Sequence, residues 1–302
     1  MGVKAEQLRP GDVLLIRSPG RLWWAVRLFD GAEVDRAALV LGDGRVAEIS
    51  GSALVQRPLA EFLGSGEAVI ARRLKETGSM EPVLARAADL GEQRAAGQPE
   101  VLLALLCCSR KLRAAPSLRA LQRSCLEAGA ALTLAEPLTP GQFVWRCYED
   151  ALPEPSDVYT LHLNDLHNLE IVAGVPGEPG AGVSRRSGRG VHPDSLLAWA
   201  VQPLMRSRLA AAVAADAPPP LEELLMRYEQ EMGDGIPAAM PGRAEADALL
   251  ASLQRFAAAW SGGKASTYAR GPLPAPLEML FRATTDLCTA GELLRCEDLY
   301  TL

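Results

Sequence analysis

The sequence predicts an α+β fold in which an antiparallel sheet packs against helices. Three features of the 302 residues support this prediction. The first third contains short apolar runs separated by glycine, proline and aspartate, a pattern that is typical of strands and turns. The middle of the chain carries apolar residues at helical spacing, and the last third is rich in alanine and interrupted by prolines, as in a series of helices.

Four strands are predicted in the first third and one in the middle of the chain. Their sequences are VLLI (13–16), VDRAALVL (34–41), RVAEIS (45–50), AVIARRL (68–74) and VYTLHL (158–163). Gly42, Asp43 and Gly44 separate the second strand from the third. Glycine and aspartate tolerate positive φ, so this segment predicts a tight hairpin turn.

Helices are predicted wherever apolar residues recur every three or four positions. These segments are 80–95, 101–114, 118–132, 139–152, about 194–215, 220–232 and 243–260, with a short helix and an extended tail over 289–302. The helix over 139–152 has the strongest start signal. Thr139 can cap it, Pro140 suits the first helical position, and Gln142 completes a T-x-x-Q capping box.

Composition narrows the class of protein. A hydrophobic content of 48% and a charged content of 23% are typical of soluble globular chains. The net charge of −6 argues against a nucleic-acid partner or an anionic membrane surface, and no apolar run approaches the roughly 18 residues of a membrane span. The six cysteines show no C-x-x-C spacing, and the start of the chain lacks an export signal. We therefore expect a reduced, cytoplasmic protein.

Signatures for cofactors and metals are missing from the sequence. SGGKAST (261–267) resembles a phosphate loop, but its lysine is followed by alanine instead of serine or threonine. His162, His167 and His192 have no metal-ligand spacing with other donors. We therefore expect no cofactor and no metal.

Five segments in a fixed order carry a family resemblance. They are LRPGDVLLIR (8–17), EVDRAALVLGDGRVAEIS (33–50), QRPLAEFL (56–63), FVWRCYEDAL (143–152) and TAGELLRCEDLYTL (289–302). Together they resemble the circularly permuted papain-fold proteins of the YiiX/YaeF-like amidase group, which is related to the NlpC-type peptidases and to lecithin retinol acyltransferase. The resemblance implies a permuted papain-like core over 1–165, a loop and helical insertion over 166–285, and a closing segment over 286–302.

The resemblance also implies a catalytic site. In that family a histidine on the second strand, a polar residue on the third strand and a cysteine at the first turn of a later helix act together. Here these positions hold Arg36, Glu48 and Pro140. A guanidinium cannot accept a proton, and proline has no thiol. We therefore expect a catalytically inactive site in which Arg36 forms a salt bridge with Glu48, facing Pro140 across a groove.

Other interpretations of the same residues stay open. Arg36 is also compatible with an ordinary exposed strand position. An active thiol amidase or acyl-hydrolase, acting on a peptide or lipid amide, would use Cys108 or Cys147, the latter with His162. Against this, a thiol buried in the middle of a helix is inert, with a raised pKa.

The predicted partner depends on which interpretation holds. An inactive protein would bind a small molecule, peptide or lipid in its groove, and an acidic ligand is expected if Glu48 leaves Arg36 un-neutralised. In a third hypothesis the helical insertion is a protein–protein interaction module.

Overall fold

Strands from the first quarter of the chain and from its last residues form one six-stranded sheet. The strands are β1 (Val13–Arg17), β2 (Arg36–Val40), β3 (Arg45–Ser50), β4 (Ala53–Pro58), β5 (Ala68–Leu74) and β6 (Leu299–Thr301). The order across the sheet is β4-β3-β2-β1-β5-β6, and every neighbouring pair is antiparallel. The α+β class predicted from the sequence is confirmed at this level.

The computed structural model describes 3–75, 78–112, 115–133, 136–151, 157–163, 191–192, 195–204, 219–234, 243–262 and 275–302. Its helices are α1 (Arg21–Asp30), α2 (Leu59–Leu63), α3 (Glu81–Asp89), α4 (Pro99–Ser109), α5 (Leu118–Leu132), α6 (Pro140–Glu149), α7 (Leu196–Leu204), α8 (Leu221–Asp234), α9 (Arg243–Trp260), α10 (Ala275–Thr285) and α11 (Ala290–Arg295). Within these ranges, no helix is both long and apolar enough to cross a bilayer.

The chain divides into two compact units. Unit 1 contains Met1–Gln98, Pro137–Leu166 and Leu287–Leu302, and it includes the whole sheet. Unit 2 contains Pro99–Glu136 and His167–Asp286, and its described elements are helical. The boundaries expected from the sequence counted Pro99–Glu136 with the core, whereas these residues belong to the helical unit.

The sheet of unit 1 has two differently packed faces, because successive side chains of a strand point to opposite sides. We name them the α6 face and the α2 face, after the helices that pack on them. The α6 face carries Val13, Leu15, Ala37, Leu39, Ala47 and Ile49, packed with Phe143, Val144, Cys147 and Leu293. The α2 face carries Leu14, Ile16, Ala38, Val40 and Val46, packed with Leu59 and Phe62.

Most of the predicted elements are found, but the strand expected over 158–163 is wrong. Asp157–Tyr159 form a 3-10 turn, and residues 160–163, the described residues that follow it, join no strand. The Tyr159 hydroxyl donates to the Ser79 carbonyl, and the His162 amide donates to the Asp298 carboxylate, so polar groups of this segment are satisfied outside a ladder. The place beside β5 is taken by β6.

The register between β5 and β6 is held by one buried side chain. Leu74 pairs with Leu299, and the Arg72 guanidinium donates to the carbonyls of Leu294, Cys296 and Leu299. Burial lowers the pKa of Arg72, and these carbonyls supply acceptors that water would otherwise provide. The closing segment is therefore attached to the sheet by backbone pairing and by a side-chain clamp.

Candidate functional site

Arg36 lies at the start of β2 on the α2 face. It is paired with Ile16 of β1, whose side chain belongs to the cluster on that face. Glu48 is paired with Ala38, which belongs to the same cluster. The Nη1 atom of Arg36 is 3.2 Å from Oε2 of Glu48, so the salt bridge expected from the sequence is present.

The Arg36 guanidinium is fully engaged. Its Nε donates to the Ser18 hydroxyl at 2.8 Å, and its Nη2 is ion-paired with Glu67. Its Cζ lies 5.6 Å from the centroid of the Trp23 ring, within the range of a cation–π contact. The side chain is only 12% exposed. Because two carboxylates neutralise it, Arg36 is not available to an acidic ligand. The acidic ligand was expected only if Glu48 left Arg36 un-neutralised, so this expectation is not met.

The network extends in two directions from Arg36. On one side, Oε1 of Glu48 is 2.7 Å from Nη2 of Arg57. On the other side, the Ser18 hydroxyl donates to Asp35 at 2.6 Å, and Asp35 is ion-paired with Arg27. Burial raises the pKa of Asp35, while the hydrogen bonds from Ser18 and the Arg27 guanidinium act to lower it. These residues form a charge-balanced network that joins α1, β2, β3 and β4.

The start of α6 follows the prediction in detail. The Thr139 hydroxyl accepts from the Gln142 amide at 3.4 Å, and the Gln142 side chain accepts from the Thr139 amide at 3.1 Å. Pro140 occupies the first helical position. All three residues are buried. The capping box and the proline at the first position are therefore confirmed.

The first turn of α6 is also sealed by the chain before α11. A Cβ added to Gly141 would stand 2.8 Å from the carbonyl carbon of Cys288 and 2.9 Å from that of Thr289, with the Cys288 oxygen closer still. Thr289 itself begins α11 with a second capping box, formed with Glu292. The residue next to the position that would hold a nucleophile is therefore packed against backbone.

The groove expected between Pro140 and Arg36 is not formed. The α6 helix packs on the α6 face of the sheet, whereas Arg36 and Glu48 project from the α2 face. The neighbouring positions that do face α6 are Ala37 and Ile49, which are apolar and buried. Alternate residues of a strand point to opposite faces of the sheet. A shift of one residue in an alignment therefore moves the aligned side chain to the other face.

The two alternative nucleophiles are buried thiols. Cys108 lies in α4 of unit 2, and burial raises its pKa, with a further contribution from Cys125. Cys147 lies in α6, and burial raises its pKa although Arg86 acts in the opposite direction. A buried thiol with a raised pKa is a poor nucleophile at neutral pH. Neither residue has the environment of a catalytic cysteine.

His162 lies beside a different cysteine from the one expected. Its Nδ1 is 3.1 Å from Oδ2 of Asp298, and the Cys296 thiol donates to the His162 carbonyl at 3.6 Å. The imidazole is 73% exposed, whereas Cys296 is buried and its pKa is raised to about 11, mainly by burial. This Cys–His–Asp cluster was missed in the sequence, because its members lie 134 residues apart. Its thiol stays protonated at neutral pH.

Of the two remaining histidines, one lies within the described residues. The His192 amide donates to the Ser109 carbonyl at 3.0 Å, and His167 lies outside the described residues. Across the described ranges, no cluster of three or more His, Cys, Asp or Glu side chains could hold a metal ion.

A cavity of about 620 Å³ opens between α1, the end of β1 and α11 of unit 1. We name it the arginine cavity. It is lined by Arg17, Trp24, Arg27, Leu28, Gly31, Ala32, Glu33, Leu294 and Arg295. Three cationic side chains therefore meet apolar ones in a space large enough for a small organic molecule. The sequence did not predict this site, because its residues come from segments that no motif connects.

Comparisons with known proteins give no assignment. No family model matches the chain. No curated protein and no solved structure matches it.

Proposed function

We propose that this chain is a catalytically inactive relative of the permuted papain-like amidases, and that it acts by binding a ligand elsewhere than at the closed first turn of α6. The observation that supports this proposal best is the first turn of α6. It is buried, it carries Pro140 in place of a thiol, and the sheet surface facing it is apolar.

The chemistry of a thiol hydrolase explains why this observation matters. Such an enzyme needs a thiolate, which a helix start can stabilise, and a base within hydrogen-bond reach of it. Here the helix start is kept through its capping box, while the nucleophile and the base are both replaced. Arg36 and Glu48 instead contribute to an ion-pair network that stabilises the sheet.

An active thiol amidase is the less favoured function, because Cys108 and Cys147 are buried with raised pKa values. A protein partner for the helices of unit 2 stays a prediction from the sequence. The ligand of the inactive protein, whether a small molecule, a peptide or a lipid, also stays a prediction.

Thiol alkylation tests the inactive assignment. All six cysteines are buried, so we expect iodoacetamide at neutral pH to modify the native protein at least about tenfold more slowly than a free thiol. Mass spectrometry of peptides would locate each modified site. The denatured protein is the control, and it should be modified at all six positions. Rapid, saturable modification of Cys108 or Cys147 would instead support the enzyme.

Restoring the family residues tests the placement of the two sheet faces. In Pro140→Cys/Arg36→His, the new thiol and the new imidazole would lie on opposite faces of the sheet. We therefore expect the thiol pKa to agree within about half a unit with that of Pro140→Cys alone. The pH dependence of alkylation measures this pKa.

The matched control for this experiment is Pro140→Cys/Arg45→His, in which the imidazole is added at an exposed hairpin position. The thiol pKa should be the same in both double variants. A thiol pKa lowered by a full unit only with Arg36→His would show that the two positions face each other, and it would contradict the geometry described above.

A further inference from the structure

We propose that the arginine cavity binds a small organic monoanion, namely a carboxylate attached to an apolar group. This inference rests on the ligand binding in the proposed function and deepens it, because it names a site, the cavity between α1 and α11, and a class of ligand. It does not depend on whether the chain was derived from an enzyme.

Two of the cavity's arginines are not ion-paired within the described residues. Arg17 is the exposed last residue of β1, and its side chain makes no hydrogen bond or ion pair there. Arg295 donates from Nη1 to the Gly31 carbonyl at a long 3.4 Å, and its buried Nε has no hydrogen-bond partner there. The Arg17 guanidinium and the rest of the Arg295 guanidinium can therefore donate to an acceptor that enters the cavity. Arg–carboxylate pairs are among the strongest such contacts.

The charge of the lining favours a single negative charge on the ligand. Arg27 is neutralised by Asp35, which is completely buried behind it. Arg17 and Arg295 then face one acidic residue of the lining, Glu33. This leaves a surplus of one positive charge, which matches a carboxylate better than a doubly charged phosphate ester.

The rest of the lining accounts for the apolar part of the ligand. Trp24 and Leu28 lie on α1, and Leu294 lies on α11, so apolar side chains flank the cavity from two elements. Leu28 is 36% exposed, so part of its apolar side chain is in contact with water. An apolar group seated between these helices would remove that surface from water.

Calorimetric titration of the full chain with 4-phenylbutanoate tests the inference. The comparison ligand is 4-phenylbutanamide, which has the same apolar part without the charge. We expect the carboxylate to bind at least about tenfold more tightly than the amide, because a hydrogen bond to a charged group contributes that much. Its binding should weaken as salt is added.

Three variants connect the binding to the cavity. Arg17→Gln and Arg295→Gln should each weaken phenylbutanoate binding about tenfold. Glu33→Gln should strengthen it, because a like charge is removed. Arg45→Gln is the matched control, since Arg45 is exposed on the β2–β3 hairpin and does not line the cavity. Far-UV circular dichroism and the thermal midpoint would show that each variant is folded.

The inference is overturned if the carboxylate does not bind, if the amide binds equally well, or if Arg17→Gln and Arg295→Gln bind like the unaltered chain. Weaker binding in Glu33→Gln would also overturn it, because Glu33 would then hold a positive group of the ligand. None of these outcomes changes the result of thiol alkylation, so the failure of this inference and the failure of the proposed function can be distinguished.

Discussion

Replacing Arg36 by alanine is expected to lower the free energy of unfolding by about 3 kcal/mol. The change would leave Glu67 without this ion-pair partner and Glu48 with Arg57 alone. The Glu48 side chain is only 4% exposed, so water cannot replace the lost contact. A single partner removed from a buried ion pair typically costs about 3–5 kcal/mol, and the contact with Arg57 places the expected loss at the lower end. Urea denaturation followed by circular dichroism would measure it.

Two further variants distinguish the loss of the Arg36 ion-pair network from the loss of one positive charge. Arg45→Ala removes an exposed arginine whose nearest carboxylate is 4.0 Å away, and it should cost less than about 1 kcal/mol. Arg36→Lys keeps the charge but cannot reach three partners with a planar fork, so an intermediate loss is expected. If Arg36→Ala cost no more than Arg45→Ala, the Arg36 network would have no structural role.

Gly141→Ala is expected to cost about 3 kcal/mol. The added methyl group would overlap backbone atoms of Cys288 and Thr289, which cannot move aside as a flexible side chain can. Either the first turn of α6 or the start of α11 would have to shift, and each is fixed by its own capping box. We expect a lower thermal midpoint and faster hydrogen exchange at the first amides of α6 and α11.

Gly42→Ala is the control for the effect of removing a glycine. The nearest atom to an added Cβ at this position is a side-chain carbon of Leu84 at 3.8 Å, which is ordinary contact. Its stability should therefore change by no more than about 0.5 kcal/mol. A similar small change in Gly141→Ala would mean that the α6 start is not closely packed against the segment before α11.

Local structure was predicted correctly where the residues that determine it are close together in the sequence. The capping box at Thr139, the turn around Gly44 and the strand over Ala68–Leu74 each depend on residues next to one another. The Arg36–Glu48 pair was also foreseen, because two strands joined by a short turn bring diagonal neighbours together.

Prediction failed where the outcome depends on packing between distant segments. Whether Arg36 faces α6 or α2 is decided by which face of the sheet each helix covers, and no local pattern specifies this. The same limit explains the false strand that includes Leu161. That residue is buried like a strand residue, but the neighbour of β5 at that edge of the sheet is β6. The helix α1 was overlooked, although it supplies much of the arginine cavity.

The clamp formed by Arg72 has a consequence for biosynthesis. Its first carbonyl acceptor lies 222 residues further along the chain, so the ribosome must deliver all of unit 2 before β5 gains its outer neighbour. Until then the nascent chain presents an unpaired strand edge, which is the kind of surface on which polypeptides aggregate. Chaperone protection during translation is therefore expected to matter more for unit 1 than for the helices of unit 2.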